Sequence, residues 1–256
     1  ALTTIAELAS GQGLEGPYQI IAGAAQGVAT PEVRNRATLG GNLCQRPRCL
    51  HYRHALLRCL KREGEGCPAA DSPYQSYLSV FGGPGCFAVA PSDLAPPLIA
   101  LDGRVEIAGP EGLREVPLEA FFAGPERDPR RENVLERGEV LTSVIVPPAP
   151  AGWHGVYSKS RTRNAGDFAI ASLALGFEPA GGRVRGARVV LGGVAPVPRR
   201  CAEAEAVLEG EEPGEEVARR AAEAALTGAT PLAHNAFKLD LVRALIVRSV
   251  ARLGPA

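Results

Sequence analysis

The chain has 256 residues, 45% hydrophobic and 22% charged, with 28 basic and 28 acidic side chains and a formal net charge of zero. That composition fits one or two globular domains with a sizeable core, and the balanced charge excludes a generally basic nucleic-acid binder and an acidic tail. No apolar run approaches the roughly 18 residues of a membrane span, and no basic-then-apolar signal peptide opens the chain.

Met is absent, so Ala1 is not a translational start and the chain is read as a fragment or a processed form. Lys61, Lys159 and Lys238 are its only lysines beside 25 arginines, read as a genome composition bias. In chain order, Tyr18, Ile20, Ile21, Ala24, Ala25 and Val28 recur at helical spacing and predict a helix. Residues 31–48 have no period, contain a Gly-Gly pair and predict a loop. Residues 49–86 predict a long irregular segment, uncommon unless function or a metal orders it. A short helix is expected near 93–101 and a strand at 104–108, followed by an apolar stretch at Leu118–Phe122. A further strand at Val140–Val146 is stopped by Pro147-Pro148.

The segment Pro147–Gly152 reads as the linker. Beyond it, Gly155–Ser160 and Arg183–Leu191 predict strands, and the apolar run Ala169–Phe177 a strand or part of a hairpin. Helices follow at Cys201–Leu208, Glu215–Leu226 and Asn235–Leu253, the last with Leu239, Val242, Ile246, Val250 and Leu253 on one stripe. Strands followed by helices give an α+β arrangement.

Four of the six cysteines, Cys49, Cys59, Cys67 and Cys86, lie in the irregular segment; Cys44 and Cys201 lie outside it. Three chemistries compete. Disulfides suit the even count, but a chain with a real core does not need them. Zinc sites pair cysteines with two to four residues between them, a spacing absent among these four, although His51 and His54 are possible substitutes. An iron–sulfur cluster is larger than a bare ion and can be gripped by an extended loop. Between residues 31 and 67, eight cations face three anions, a local charge of +5 that would stabilise an anionic group; the alternative is a solvated basic loop.

The stretch Arg34-Asn35-Arg36-Ala37-Thr38-Leu39-Gly40-Gly41-Asn42-Leu43 resembles a motif of the FAD-binding medium subunit of molybdenum hydroxylases, the family of xanthine dehydrogenase, carbon monoxide dehydrogenase and aldehyde oxidoreductases. Further segments match it in order: Ala90-Pro91-Ser92-Asp93-Leu94, Gly138–Val144, Lys159–Arg163 with Asp167-Phe168-Ala169, Leu191–Pro196 and Asn235–Lys238. The cysteine loop resembles a subgroup with an extra [4Fe–4S] cluster in this subunit. The resemblance makes Cys49, Cys59, Cys67 and Cys86 the cluster ligands, Cys44 a buried thiol, and Cys201 a structural or surface thiol.

The resemblance implies an FAD-binding subdomain of the PCMH type at 1–147, carrying the cluster loop at 44–87. A C-terminal α+β domain like that of the carbon monoxide dehydrogenase flavoprotein is implied at 153–256. Family members carry one more small subdomain before this point, with the Gly-rich loop that holds much of the FAD pyrophosphate. Its absence here implies a fragment, or a piece in another chain, and a weakened hold on FAD.

The implied cofactor-binding set is Arg34, Asn35, Thr38, Gly40, Gly41, Asn42, Ser92, Asp93, Leu141 and Lys159. Gly40 and Gly41 would let the backbone approach the flavin; alone they read as an ordinary turn. Asn35, Thr38 and Asn42 would hydrogen-bond the cofactor, and Asp93 its ribose or adenine side; Asp93 also reads as a helix cap. Leu141 would pack on the flavin ring, or simply in the core. Lys159 would favour the reduced anionic flavin, or sit at the surface. No catalytic acid, base or nucleophile is expected.

The implied role is an oxidoreductase subunit. Electrons would pass from a large molybdopterin-binding subunit through a small [2Fe–2S] subunit to FAD and an external acceptor. Neither nucleic acid nor membrane is an expected partner. Relatives are cytoplasmic or periplasmic, export being possible with a partner subunit. The alternatives are a structural zinc module and a standalone flavin reductase.

Overall fold

The computed structural model describes residues 1–62, 64–82, 85–163 and 166–254. Glu63, counted above in the local charge, lies outside the described residues. Helix α1 (Ile5–Ala9) starts at a capping box: the Thr4 hydroxyl accepts from the Glu7 N–H, and the Glu7 carboxylate accepts from the Thr4 N–H. A 3₁₀ turn at Gly16–Tyr18 leads into α2 (Gln19–Gln26), which buries Ile20, Ile21, Ala24 and Ala25 at the expected spacing.

The stretch predicted as a loop holds two short helices, α3 (Pro31–Arg34) and α4 (Leu39–Cys44). Pro31 brings a helical φ to the first position of α3. Thr38 caps α4, its hydroxyl accepting the Gly41 N–H at 3.2 Å. These caps, with burial of Leu39 and Leu43, outweigh the low helix propensity of Gly40-Gly41.

Among the described residues, α5 (Leu50–Arg53) is the only helix of the cysteine segment. The rest is held by backbone bonds such as Leu60 N–H to Gly66 O at 3.0 Å and Ser79 N–H to Phe87 O at 2.8 Å. Next come the buried α6 (Ala95–Ala100), β1 (Arg104–Gly109), β2 (Gly112–Pro117), α7 (Leu118–Phe121) and β3 (Val140–Ile145). The strands form an antiparallel sheet of order β2-β1-β3. Strand β2 escaped the sequence reading because its side chains are largely exposed.

The second half contains β4 (His154–Ser160), β5 (Ala171–Ala180), β6 (Arg183–Gly192) and the two-residue β7 (Arg199–Arg200), then α8 (Ala202–Leu208), α9 (Glu215–Ala225) and α10 (Phe237–Leu253). Its antiparallel sheet runs β4-β5-β6-β7. Both faces are covered, which explains the unbroken apolar run of β5. Leu173, Leu175 and Phe177 join Val242, Ile246 and Val250 of α10 in one core. Ala174 and Val190 point the other way, into a second core with residues of α2 and α6. The two halves therefore share one sheet as a common wall, and Val80 and Phe81 of the first half enter the helical core of the second.

Trp153 follows the Pro-rich linker and is only 4% exposed. Its indole N–H donates to Gly186 O at 3.2 Å. The ring lies over Gly155 and Gly176, which face each other across β4 and β5. A Cβ on Gly155 would meet the indole at 2.8 Å, and one on Gly176 would approach it more closely still. Cys201, left open as structural or surface, is fully buried, and burial pushes its thiol up to about 12. No helix among the described residues is long and apolar enough to cross a membrane.

The paired glycines generate a test. Gly176→Ala is expected to cost about 1–3 kcal/mol, as overpacking does, and to shift the emission of the single Trp. Unchanged thermal stability and emission would contradict this packing.

Candidate functional site

A cavity of about 550 Å³ lies where the two halves meet, within the roughly 300–1,000 Å³ typical of small-molecule sites. Its walls come from residues 48–53, 74–78 and 89–93 of the first half and from Asp167–Ala169, Ser172 and Gly193 of the second. The aromatic walls are Tyr74, Tyr77 and Phe168. Two contacts join the cysteine segment to the loop after β4: the Arg48 guanidinium sits 5.2 Å from the Phe168 ring centroid, and the Tyr77 and Thr162 hydroxyls are 2.8 Å apart.

Asp93 is 4% exposed and forms part of the wall. One carboxylate oxygen accepts from the Tyr157 hydroxyl at 2.6 Å; the other accepts from the Lys159 ammonium at 2.7 Å. Burial pushes the Asp93 carboxyl above its usual range, and Lys159 and Tyr157 oppose that shift. Tyr157 titrates well above its ordinary value, from burial first and the Asp93 charge second. Lys159 also donates to Gly27 O at 3.0 Å, at the C-terminal end of α2, so its ammonium is neither at the surface nor in the cavity wall. The other wall carboxylate, Asp167, is held below its usual range by Arg163. Each carboxylate thus has its own cation, leaving Arg48 and Arg53 to make the cavity basic.

The cofactor-binding residues expected from sequence fall into three groups. Asn42, Ser92, Asp93 and Lys159 come together around the start of α6. The Ser92 hydroxyl donates to Asn42 Oδ1 at 2.6 Å and accepts the Ala95 N–H at 3.1 Å. Ser92, rather than Asp93, therefore serves the first N–H of α6. Arg34 donates to Val28 O at 2.9 Å and Lys159 to the neighbouring Gly27 carbonyl, so both brace the end of α2.

The third group, Asn35, Thr38, Gly40, Gly41 and Leu141, lies outside the cavity wall. Gly40 admits the chain start: a Cβ there would meet Ala1 Cβ at 2.9 Å and Leu141 Cδ2 at 3.5 Å, and its N–H donates to Ala1 O at 2.9 Å. Gly41 is exposed, although a Cβ there would meet the Thr38 hydroxyl at 3.1 Å.

Sequence reasoning missed Tyr74 and Tyr77, which lie in a segment without period, and Tyr157, and named Phe168 only within a motif, without a role. A signal for Tyr157 existed: residues 157 and 159 alternate onto one face of β4. It also left Lys238 without a role. That ammonium is fully buried and donates to Leu78 O and Gly193 O, each at 2.7 Å and each belonging to a wall residue. Burial lowers it to about 7.

All six cysteines are free thiols. Cys59 and Cys86 are buried, Cys49 and Cys67 half-buried, and Cys44 is half-buried rather than fully buried. Burial raises the Cys49 and Cys86 thiols, and for each the charges of Cys59 and Cys67 add to the rise. The four therefore share one neighbourhood. Among the described residues no group of three or more His, Cys, Asp or Glu closes around a point as a single metal ion requires. Four thiols are the donor type that zinc and iron–sulfur clusters both take. FAD also fits: the basic, aromatic-walled cavity suits a planar ring carrying phosphates.

Comparison with known proteins supports the FAD reading. Residues 1–149 match the FAD binding domain in molybdopterin dehydrogenase, and residues 156–253 match the CO dehydrogenase flavoprotein C-terminal domain. The aldehyde oxidoreductase FAD-binding subunit PaoB of Escherichia coli (strain K12) is 34% identical over 253 residues, spanning 98% of this chain and 76% of that protein. The carbon monoxide dehydrogenase medium chain of Hydrogenophaga pseudoflava is 27% identical over 231 residues, spanning 90% of this chain and 64% of that one. The solved carbon monoxide dehydrogenase of Hydrogenophaga pseudoflava lacking the Mo-pyranopterin moiety superposes with a TM-score of 0.72 at 26% identity, covering 97% of this chain and 71% of its counterpart. Sequence motifs, fold and both domain matches converge: the chain belongs to the FAD-binding medium subunits of the molybdenum hydroxylases.

Proposed function

We propose that this chain is the electron-transferring flavoprotein subunit of a molybdenum hydroxylase complex of the aldehyde oxidoreductase kind. In this reading a large molybdopterin subunit oxidises the substrate, a small [2Fe–2S] subunit relays electrons, and this chain delivers them to an external acceptor. The observation that carries the reading is the cavity itself, because its wall joins Ser92-Asp93, the second-half sheet and Cys49. One organic cofactor there would touch both halves and lie beside the thiol quartet.

When bound, FAD supplies a redox couple that takes up two electrons and can release them singly. The protein's part is positional and electrostatic. Asp93, fixed by Tyr157 and Lys159, presents a rigid acceptor at the wall. Tyr74, Tyr77 and Phe168 offer aromatic faces to a flat ring, and Arg48 and Arg53 balance phosphate charge. Cys49, Cys59, Cys67 and Cys86 would hold a [4Fe–4S] cluster, which carries one electron at a time. What supports the cluster is the gathering of four free thiols in a segment with little regular structure of its own.

Two outcomes test the proposal. In the assembled complex, aldehyde is expected to bleach the flavin absorbance, while this chain without the large subunit gives no bleaching; substrate-driven bleaching by the isolated chain would favour a standalone flavin reductase. In the anaerobically purified complex, Cys67→Ser is expected to remove about four iron and four sulfide per medium subunit and to open residues 49–86 to proteolysis. Unchanged iron and digestion would remove the ligand assignment, and stoichiometric zinc in the wild type would replace it.

A further inference from the structure

The three lysines stand apart from the many arginines by their surroundings. Each is withdrawn from solvent, Lys238 completely, Lys61 and Lys159 with side chains 7% and 6% exposed. Each donates to main-chain carbonyls. Lys159 serves Asp93 and Lys238 serves the cavity wall. Lys61 has no part in either.

Lys61 lies between Cys59 and Cys67. Its ammonium donates to Pro129 O at 2.7 Å and pairs with Glu132 Oε1 at 3.0 Å. The other Glu132 oxygen pairs with Arg46 Nε at 3.0 Å, and Arg46 also donates to Arg130 O at 3.1 Å. Two cations from the cysteine segment thus share one carboxylate from the strap between α7 and β3. The clamp keeps one uncompensated positive charge. It faces one of the four thiols: Lys61, Glu132 and Cys86 line a common void of about 20 Å³, room for a single water.

We propose that the Arg46–Glu132–Lys61 clamp sets the reduction potential of the cluster held by Cys49, Cys59, Cys67 and Cys86, besides pinning the loop. This rests on the cluster reading above. A cluster with four thiolate ligands gains negative charge when it takes up its electron. A positive charge beside it, poorly screened because Lys61 is buried, favours the reduced form and raises the potential. Lys61 and Glu132 are positioning residues; neither ligates iron.

A purely mechanical anchor and an electrostatic one differ in sign. The test is EPR-monitored redox titration of the anaerobic complex, with iron content measured on the same samples. Lys61→Met removes the net positive charge, and the cluster midpoint is expected to fall. Glu132→Gln leaves both cations unneutralised, and the midpoint is expected to rise. Lys61→Arg, which keeps the charge, is expected to restore the wild-type midpoint. A wild-type complex lacking a [4Fe–4S] signal overturns the cluster reading and the clamp with it. A wild-type signal whose midpoint moves the same way in Lys61→Met and Glu132→Gln, or in neither, overturns the clamp alone. Should Lys61→Met fail to accumulate, Glu132→Gln decides: its midpoint rises, or the clamp has no electrostatic role.

Discussion

A carboxylate and an ammonium buried against each other hold the two halves in one arrangement. Asp93 comes from the turn before α6, Lys159 from β4, and Gly27, which receives a second Lys159 bond, from the end of α2. Taking both charges out of water is costly, and the pair is favourable only because Tyr157 and the Gly27 carbonyl complete its hydrogen bonds. Removing one partner of such a pair costs about 3–5 kcal/mol. The cavity wall inherits that rigidity, since Asp93 belongs to it. An acceptor held on two sides keeps its orientation without help from a ligand, as a preorganised cofactor site requires.

The cysteine segment solves a different problem. Among its described residues it has one turn of helix, too little regular structure to order itself. It is tied instead at separate points: Lys61 and Arg46 to the 129–132 strap, Asn235 and Lys238 of the second half to the carbonyls of Leu78 and Ser79, and Val80 into the helical core. These ties run to both halves, so the segment acts as a third seam between them. A cluster in the middle of it would be held by its surroundings as much as by its ligands; of the segment's cations Lys61 is buried, while Arg48, Arg53 and Arg58 are exposed.

Much of this architecture was legible in the sequence. Pattern located α2, β1, β3, β4, β6 and the helices of the second half, while β5 and α6 showed as apolar runs because they are buried on all sides; the two-residue β7 was not foreseen. The reading failed at 31–48, where Gly-Gly suggested a loop. The overlooked signals were Pro31 at a helix start and Thr38 as a cap, both local and both in plain view. The site was legible only in part. Asp93 and Lys159 were each singled out, but their pairing across 66 positions is a product of the shared sheet. Tyr74, Tyr77 and Phe168 sit in aperiodic segments, where only tertiary structure gives a ring a direction. The scarcity of lysine, first read as composition bias, was the better clue: where arginine serves the surface, the remaining lysines mark cations that must fit inside.

The central claim is that the fixed Asp93 acceptor holds the cofactor between the two halves. The most direct measurement is the FAD content per medium subunit of assembled complexes carrying Asp93→Asn that elute like the wild type. The account expects these complexes to lose most of their flavin on gel filtration. Retention of a full wild-type complement of FAD would contradict it.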